Sequence, residues 1–335
     1  MTDIPYEPDC PDLPTLSTKF RDPDVTARGE ARASVGLTRL DTLWINTGTL
    51  CNIECLNCYI ESGPRNDRLS YFEARDAARL FDEIETLGLG TREIGFTGGE
   101  PFMNPDMARM MGDALDRGFE VLVLTNAMQP MMRPRLRRAL VELNARHGGR
   151  LTLRVSLDHY SATLHDTERG PGAFDRAIEG LDWLAANGLR FTIAGRTCWN
   201  ESEAEARAGY AVLFAARGYP VDAGDPAALV LFPEMDGAHD VPEITTACWG
   251  ILGVDPADIM CASSRMVVRR KGESRAEILP CTLLPYDPHF GMGATLAQSM
   301  RADGGNFDRG RVKLNHPHCA KFCVLGGGSC SVAKD

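Results

Sequence analysis

An α/β fold is expected, with six parallel strands curled into an open or incomplete barrel and a small cysteine-rich extension behind it. Three observations lead there. Strand-like and helix-like patterns alternate six times between about residues 41 and 235. Gly88, Gly118 and Gly188 stand where helices would stop. After Pro233 the alternation ceases, and six of the eleven cysteines fall within residues 234–335. Parallel neighbours need a crossover, usually a helix, so repeated strand–helix units imply a parallel sheet. Ligands in such folds bind at the C-terminal ends of the strands.

The elements follow in order. Residues 1–40 are rich in proline and charge, lack periodicity, and read as an extended arm. Thr42–Asn46 (TLWIN) reads as the first strand. A cysteine-rich loop follows it. Ser70 and Glu73 have the spacing of a capping box, opening a helix through Ala77, Leu80, Phe81, Ile84 and Leu87. Residues 93–97 form the second strand. Asn104-Pro105 starts a helix that places Met107, Met110, Met111 and Leu115 on one face. Strands are then expected at 121–125, 151–157, 189–194 and 229–232, with helices at about 133–145, 173–187 and 201–217. The expected division is an arm at 1–40, a core at 41–235 and an extension at 236–335.

Composition narrows the function classes. The net charge is 36 − 46 = −10, opposite in sign to the footprint of a general nucleic-acid binder. No run approaches the roughly 18 apolar residues of a membrane span. The N-terminal MTDIPYEPDCPDLPTL lacks the basic flank and apolar segment of an export signal, so a cytoplasmic location is expected. Eleven cysteines in such a chain point to metal or redox chemistry rather than disulfides.

Cys51, Cys55 and Cys58 form C-x3-C-x2-C directly after the first strand, at the ligand end of the sheet. Structural zinc usually takes four closed ligands. A cubane iron–sulfur cluster takes one thiolate per iron, so three cysteines leave one iron open to another ligand. The alternatives are a zinc knuckle completed from a distance, or unrelated buried cysteines. Gly98-Gly99-Glu100-Pro101 follows the second strand. Its glycines permit close backbone approach, its N–H groups can grip a polar group, and Glu100 can accept from an ammonium.

In these two motifs, in this order and on this strand–helix pattern, the chain resembles the radical S-adenosylmethionine superfamily, whose core is a partial (β/α)6 TIM-like barrel. The resemblance implies that Cys51, Cys55 and Cys58 hold a [4Fe–4S] cluster. It implies that S-adenosylmethionine binds the fourth iron through its amino and carboxylate groups, with Gly98, Gly99 and Glu100 against the amino group. Thr125 and Asn126 end the third strand and are candidates to line the pocket. Ser156 and Asp158 end the fourth and suit the ribose or the methionine carboxylate, or else form an ordinary strand-end turn. Arg196 follows the fifth and either pairs with a carboxylate or makes a surface salt bridge. The family usually has an aromatic residue before the third cysteine; here it is Asn57, with Tyr59 after. The reaction implied is reductive cleavage of S-adenosylmethionine and hydrogen abstraction from substrate, with flavodoxin or ferredoxin supplying the electron. A non-catalytic iron–sulfur or zinc protein on the same framework is the competing class.

Cys261 and Cys281 bracket a hairpin pattern with a charged, glycine-containing turn. Cys319, Cys323 and Cys330 follow in HPHCAKFCVLGGGSC. This layout resembles the SPASM and twitch extensions of some radical S-adenosylmethionine enzymes. The resemblance implies one auxiliary [4Fe–4S] cluster on Cys261, Cys281, Cys319 and Cys330, with Cys323 replacing one of the last two; a structural zinc site is the alternative. Enzymes with such extensions act on peptides, other enzymes or small molecules, so a peptide or small-metabolite substrate is expected. Cys10 and Cys198 are isolated and read as structural.

Overall fold

The computed structural model of the protein describes residues 18–233 and 240–326. The expected alternation is present. In chain order come β1 (Ser34–Val35), β2 (Thr42–Asn46), α1 (Ala74–Leu87), β3 (Glu93–Thr97), α2 (Met107–Asp116), β4 (Glu120–Thr125), α3 (Gln129–Met132) and α4 (Pro134–His147). Then follow β5 (Leu151–Ser156), α5 (Ala162–Arg169), α6 (Ala173–Ala186), β6 (Arg190–Arg196), α7 (Glu203–Arg217) and β7 (Leu229–Phe232). The last part holds α8 (Cys248–Leu252), β8 (Ser264–Val268), β9 (Glu277–Leu279), α9 (Leu296–Ser299), β10 (Phe307–Asp308), β11 (Arg311–Lys313) and a π-helical turn, Cys319–Leu325.

The main sheet runs β7-β6-β5-β4-β3-β2-β8-β9. Strands β2 to β7 are mutually parallel, as six strand–helix units require. This is the α/β partial-barrel arrangement. Continuous apolar runs such as Leu43-Trp44-Ile45 and Val121-Leu122-Val123 are buried on both faces, because helices cover one side and side chains fill the other. The helices bury one stripe each. On α2 it is Met107, Met110, Met111, Ala114 and Leu115.

Three features depart from the sequence pattern. The hairpin that carries the second cysteine set belongs to the main sheet: β8 pairs in parallel with β2, Leu43 opposite Arg265, and β9 pairs antiparallel outside it. The capping box at Ser70 does not form. Ser70 N–H instead donates to Arg269 O at 2.8 Å, which ties the segment to the hairpin. The helix therefore starts later, at Ala74, whose N–H is received by Asp106 Oδ2 at 2.9 Å. A capping box does form on α7, between Ser202 and Glu205. Finally, α5 was not anticipated, and it carries two charged residues of the site.

The described part of the arm packs against the C-terminal part. Strand β1 pairs with β11, and Arg32 Nη2 makes a 2.6 Å buried ion pair with Glu243 Oε1. Among the described residues no helix is long and apolar enough to cross a membrane.

Candidate functional site

The loops after β2, β3, β4, β5 and β6 converge on one cavity of about 210 Å³ at the C-terminal end of the sheet. Cys51, Cys55 and Cys58 line it, as do Gly98, Gly99, Thr125, Asn126, Ser156, Asp158 and Arg196. These expected residues are therefore brought together.

The cysteine loop is fixed by backbone contacts. Gly99 N–H donates to Gly48 O at 2.8 Å and Glu100 N–H to Leu50 O at 3.1 Å. A Cβ on Gly99 would overlap the Leu50 carbonyl, and one on Gly98, at φ +135°, would lie 2.5 Å from Gly48 O. The glycines are thus required by close approach of the two loops. This revises the expectation for the turn: two of its N–H groups are committed to the cysteine loop rather than open to a ligand.

Glu100 also differs from expectation. It is buried behind the cavity wall. Its Oε1 accepts from Phe102 N–H (3.1 Å) and Thr125 Oγ1 (2.9 Å), and its Oε2 from Asn126 N–H (2.9 Å). Burial, only partly offset by these hydrogen bonds, raises its pKa to about 7. Glu100 braces the two residues that face the cavity. Asn126 Nδ2 in turn donates to Asn52 Oδ1 at 2.9 Å and lies 3.9 Å from Cys51 Sγ.

Asp158 and Arg196 are both engaged by α5. Arg169 grips Asp158 with two bonds, Nε to Oδ2 at 2.7 Å and Nη2 to Oδ1 at 2.9 Å. Glu168 Oε2 accepts from Arg196 Nη1 at 2.7 Å and from Asn57 Nδ2 at 3.1 Å. Leu56 N–H donates to Glu168 O at 2.8 Å. Helix α5 thereby clasps the cysteine loop, and Asn57 is the residue it grips. Asp158 is held below the ordinary carboxylate range by Arg169 despite its burial. His165 is fully buried on the same helix. Its Nδ1 accepts from Asp158 N–H at 3.1 Å, and burial lowers its pKa to about 4, so it is neutral with its proton on Nε2. Glu168, Arg169 and His165 escaped the sequence reading, although a buried Asp158 demanded a cation nearby.

The remaining wall is apolar. Phe232, Leu283 and Phe322 close the cavity, with Phe232 and Phe322 stacked at 6.0 Å between centroids. Leu283 lies two residues after Cys281, and Phe322 lies between Cys319 and Cys323.

Cys51, Cys55 and Cys58 fit a [4Fe–4S] cluster. They line one cavity, three thiols for a cluster of four irons. A cubane takes one thiolate per iron, so three cysteines leave one iron open to another ligand. Burial pushes the Cys51 thiol up to about 12 and raises that of Cys55, while Arg169 opposes the rise at Cys55. Ser62 N–H donates to Cys58 Sγ at 3.3 Å.

The second set gathers too. Pairing of β8 with β9 brings the buried Cys261 and Cys281 to one end of the hairpin, and the π-helical turn adds buried Cys319 within electrostatic reach of both. Cys323 is half-buried in the same turn. Cys330 lies outside the described residues, as does Cys10. The thiol of Cys261 is raised to about 11 by burial. Beside it, Arg265 is fully buried, and burial lowers its pKa to about 10. Cys198 is half-buried.

Comparison with known proteins agrees with this geometry. Residues 45–207 match the family described as Radical SAM superfamily. The chain is 31% identical over 146 residues to an AdoMet-dependent heme synthase of Oleidesulfovibrio alaskensis, covering 43% of this chain and 34% of that protein. It is 31% identical over 140 residues to the mycofactocin maturase MftC of Mycobacterium tuberculosis, covering 42% and 33%. The chain spans about a third of the length of these curated relatives. Its fold is similar to that of Streptococcus suis SuiB bound to S-adenosylmethionine, with TM-score 0.58 and 15% identity, over 79% of this chain and 66% of that one. SuiB has also been solved with the precursor peptide SuiA, a likeness of TM-score 0.54 at 15% identity over 74% and 61%.

Proposed function

We propose, for a chain whose residues 45–207 match the Radical SAM superfamily, that it is an enzyme that abstracts hydrogen from a peptide substrate. The observation that carries this reading is the single cavity shared by the three thiols, the Gly98-Gly99 turn, the charges of α5 and β6, and an apolar wall. When bound there, a [4Fe–4S] cluster with S-adenosylmethionine supplies reductive cleavage of the sulfonium to methionine and a 5′-deoxyadenosyl radical.

The chain's own residues divide the remaining work. Cys51, Cys55 and Cys58 would hold the cluster. Gly98 and Gly99 would lie against the methionine amino group, and Glu100 keeps Thr125 and Asn126 in place. Ser156, Asp158 and Arg196 would line the ribose and carboxylate end, with Arg169 and Glu168 orienting them. Phe232, Leu283 and Phe322 exclude water and present an apolar face to the substrate. Cys261, Cys281 and Cys319, completed by Cys330 or Cys323, would hold one auxiliary [4Fe–4S] cluster in a SPASM- or twitch-like extension, residues 236–335. It would take an electron from the substrate. Flavodoxin or ferredoxin is the proposed donor, and the cytoplasm the proposed location.

SuiB, solved with a precursor peptide, favours a peptide. The heme synthase supports a small-molecule alternative. The test is anaerobic reconstitution with iron and sulfide, then S-adenosylmethionine and dithionite, with 5′-deoxyadenosine as the readout. Wild type should form it and Cys55→Ala should not. Formation by both would refute the assignment of the first cysteine set. Deuterium transfer into 5′-deoxyadenosine from a labelled peptide, but not from a labelled tetrapyrrole, would decide the substrate class.

A further inference from the structure

Among the described residues, Arg265 has no acidic partner. It is fully buried on β8. Its Nη1 donates to Cys261 O at 2.6 Å and Ser264 O at 2.8 Å, and its Nη2 reaches Gly310 O at 3.5 Å. Its Nε meets no acceptor. Among the described residues no carboxylate pairs with it, whereas Arg169 and Arg196, which line the cavity, each hold one. A buried guanidinium is costly unless paired with negative charge. Carbonyl oxygens satisfy its donors without neutralising it. The groups that face it and can turn anionic are the thiols of Cys261 and Cys281, with Cys319 beside them.

We propose that Arg265 is the charge partner of the iron–sulfur group held by Cys261, Cys281 and Cys319, and that it sets how readily that group accepts an electron. This rests on the reading that the second cysteine set holds a cluster. A thiolate-ligated cubane is anionic, and one-electron reduction makes it one unit more negative. Net charge and surroundings set such potentials, and a fixed cation in a dry site favours the more negative state. Arg265 is thus a positioning and tuning residue, not a catalytic one. Its peptide contact to Cys261 O also fixes the ligand's backbone.

The test removes the first cluster, so that only the second set is read. Full-length protein with Cys51, Cys55 and Cys58 all changed to Ala is reconstituted, its iron and sulfide are counted, and it is titrated with dithionite while the reduced cluster is followed by electron paramagnetic resonance. One electron from dithionite enters per cluster. In this background Arg265→Met should disfavour reduction about tenfold, a potential 59 mV lower, while Arg265→Lys stays near the parent. If the Met variant does not fold, Arg265→Gln, which keeps a donor for Cys261 O, carries the same comparison. An unchanged potential in the uncharged variant, with iron content intact, overturns the role of Arg265 and leaves the cluster reading standing. Absence of iron from the parent background overturns both.

Discussion

The two cysteine sets are built in opposite ways. Cys51, Cys55 and Cys58 come from one loop and line an open cavity whose Arg169 and Arg196 are already neutralised by Asp158 and Glu168. Cys261, Cys281 and Cys319 come from three separate segments, are buried, and face an arginine that no carboxylate among the described residues neutralises. The first arrangement leaves room for a ligand and holds its charges in balance before one arrives. The second is closed, and the balance of its charge is left to the cluster proposed for it. An open site with spare coordination suits chemistry, and a closed one suits structure or electron transfer.

The largest expected effect probes the balanced charges of the first set. Arg169→Leu strands the buried Asp158 and should destabilise the protein by about 3–5 kcal/mol in urea unfolding. A loss below 1 kcal/mol would show that the pair is not needed, and the contrast with Arg265 would fail.

Next is a pH effect on the cofactor-free protein. The pKa of Glu100 rises from 4.5 to about 7 on folding, because burial disfavours its charged form. Its contribution to stability is present in full below 4.5 and is lost as pH rises through about 7. The change is on the order of 3 kcal/mol. Glu100→Gln should abolish this part of the slope between pH 4.5 and 8, as read by urea melts across the range. An unchanged slope would place the titration elsewhere.

Gly99→Ala separates the two sets. The added methyl would push Leu50 and the cysteine loop apart, costing about 1–3 kcal/mol. Iron bound by the first set should fall while that bound by the second persists, measured by spectroscopic quantification. Equal loss from both would mean the sets are structurally coupled.

The smallest effect concerns the clasp. Asn57→Ala removes two hydrogen bonds to Glu168, which keeps Arg196. A loss of about 1 kcal/mol is expected, checked by thermal unfolding. A larger one would show that α5 depends on the cysteine loop as much as the loop depends on α5.

Much of this was legible in the residues. The core strands are short segments between turn residues, nearly continuous apolar runs in β4 and β7 and alternating in β6, and such patterns are recognisable without knowing their partners. The α1, α2, α6 and α7 helices bury periodic stripes, and their ends carry glycines or caps. The first cysteine group is a local spacing, visible at once, and the second shows as a hairpin pattern flanked by Cys261 and Cys281 with a later cysteine run. Helix α5, ATLHDTER, was hidden because it is short, polar and without an apolar stripe. With it went Arg169 and Glu168, the partners of Asp158 and Arg196. Glu100 was legible as a site residue but not as a brace, since only the folded chain shows that Thr125 and Asn126 take both of its oxygens.

The chain's pattern of apolar runs, turns and thiols determined the α/β alternation, the end of the sheet where a ligand sits, and the residue types waiting there. These depend on neighbours in sequence, where spacing translates directly into geometry. Tertiary structure alone decided that β8 joins β2, that the extension's Leu283 and Phe322 close the cavity of the core, that α5 clasps the cysteine loop, and that Arg265 is enclosed beside the second thiols. Those outcomes rest on contacts between segments far apart in the chain, where pairing register, burial and charge compensation are settled only once the whole core has packed.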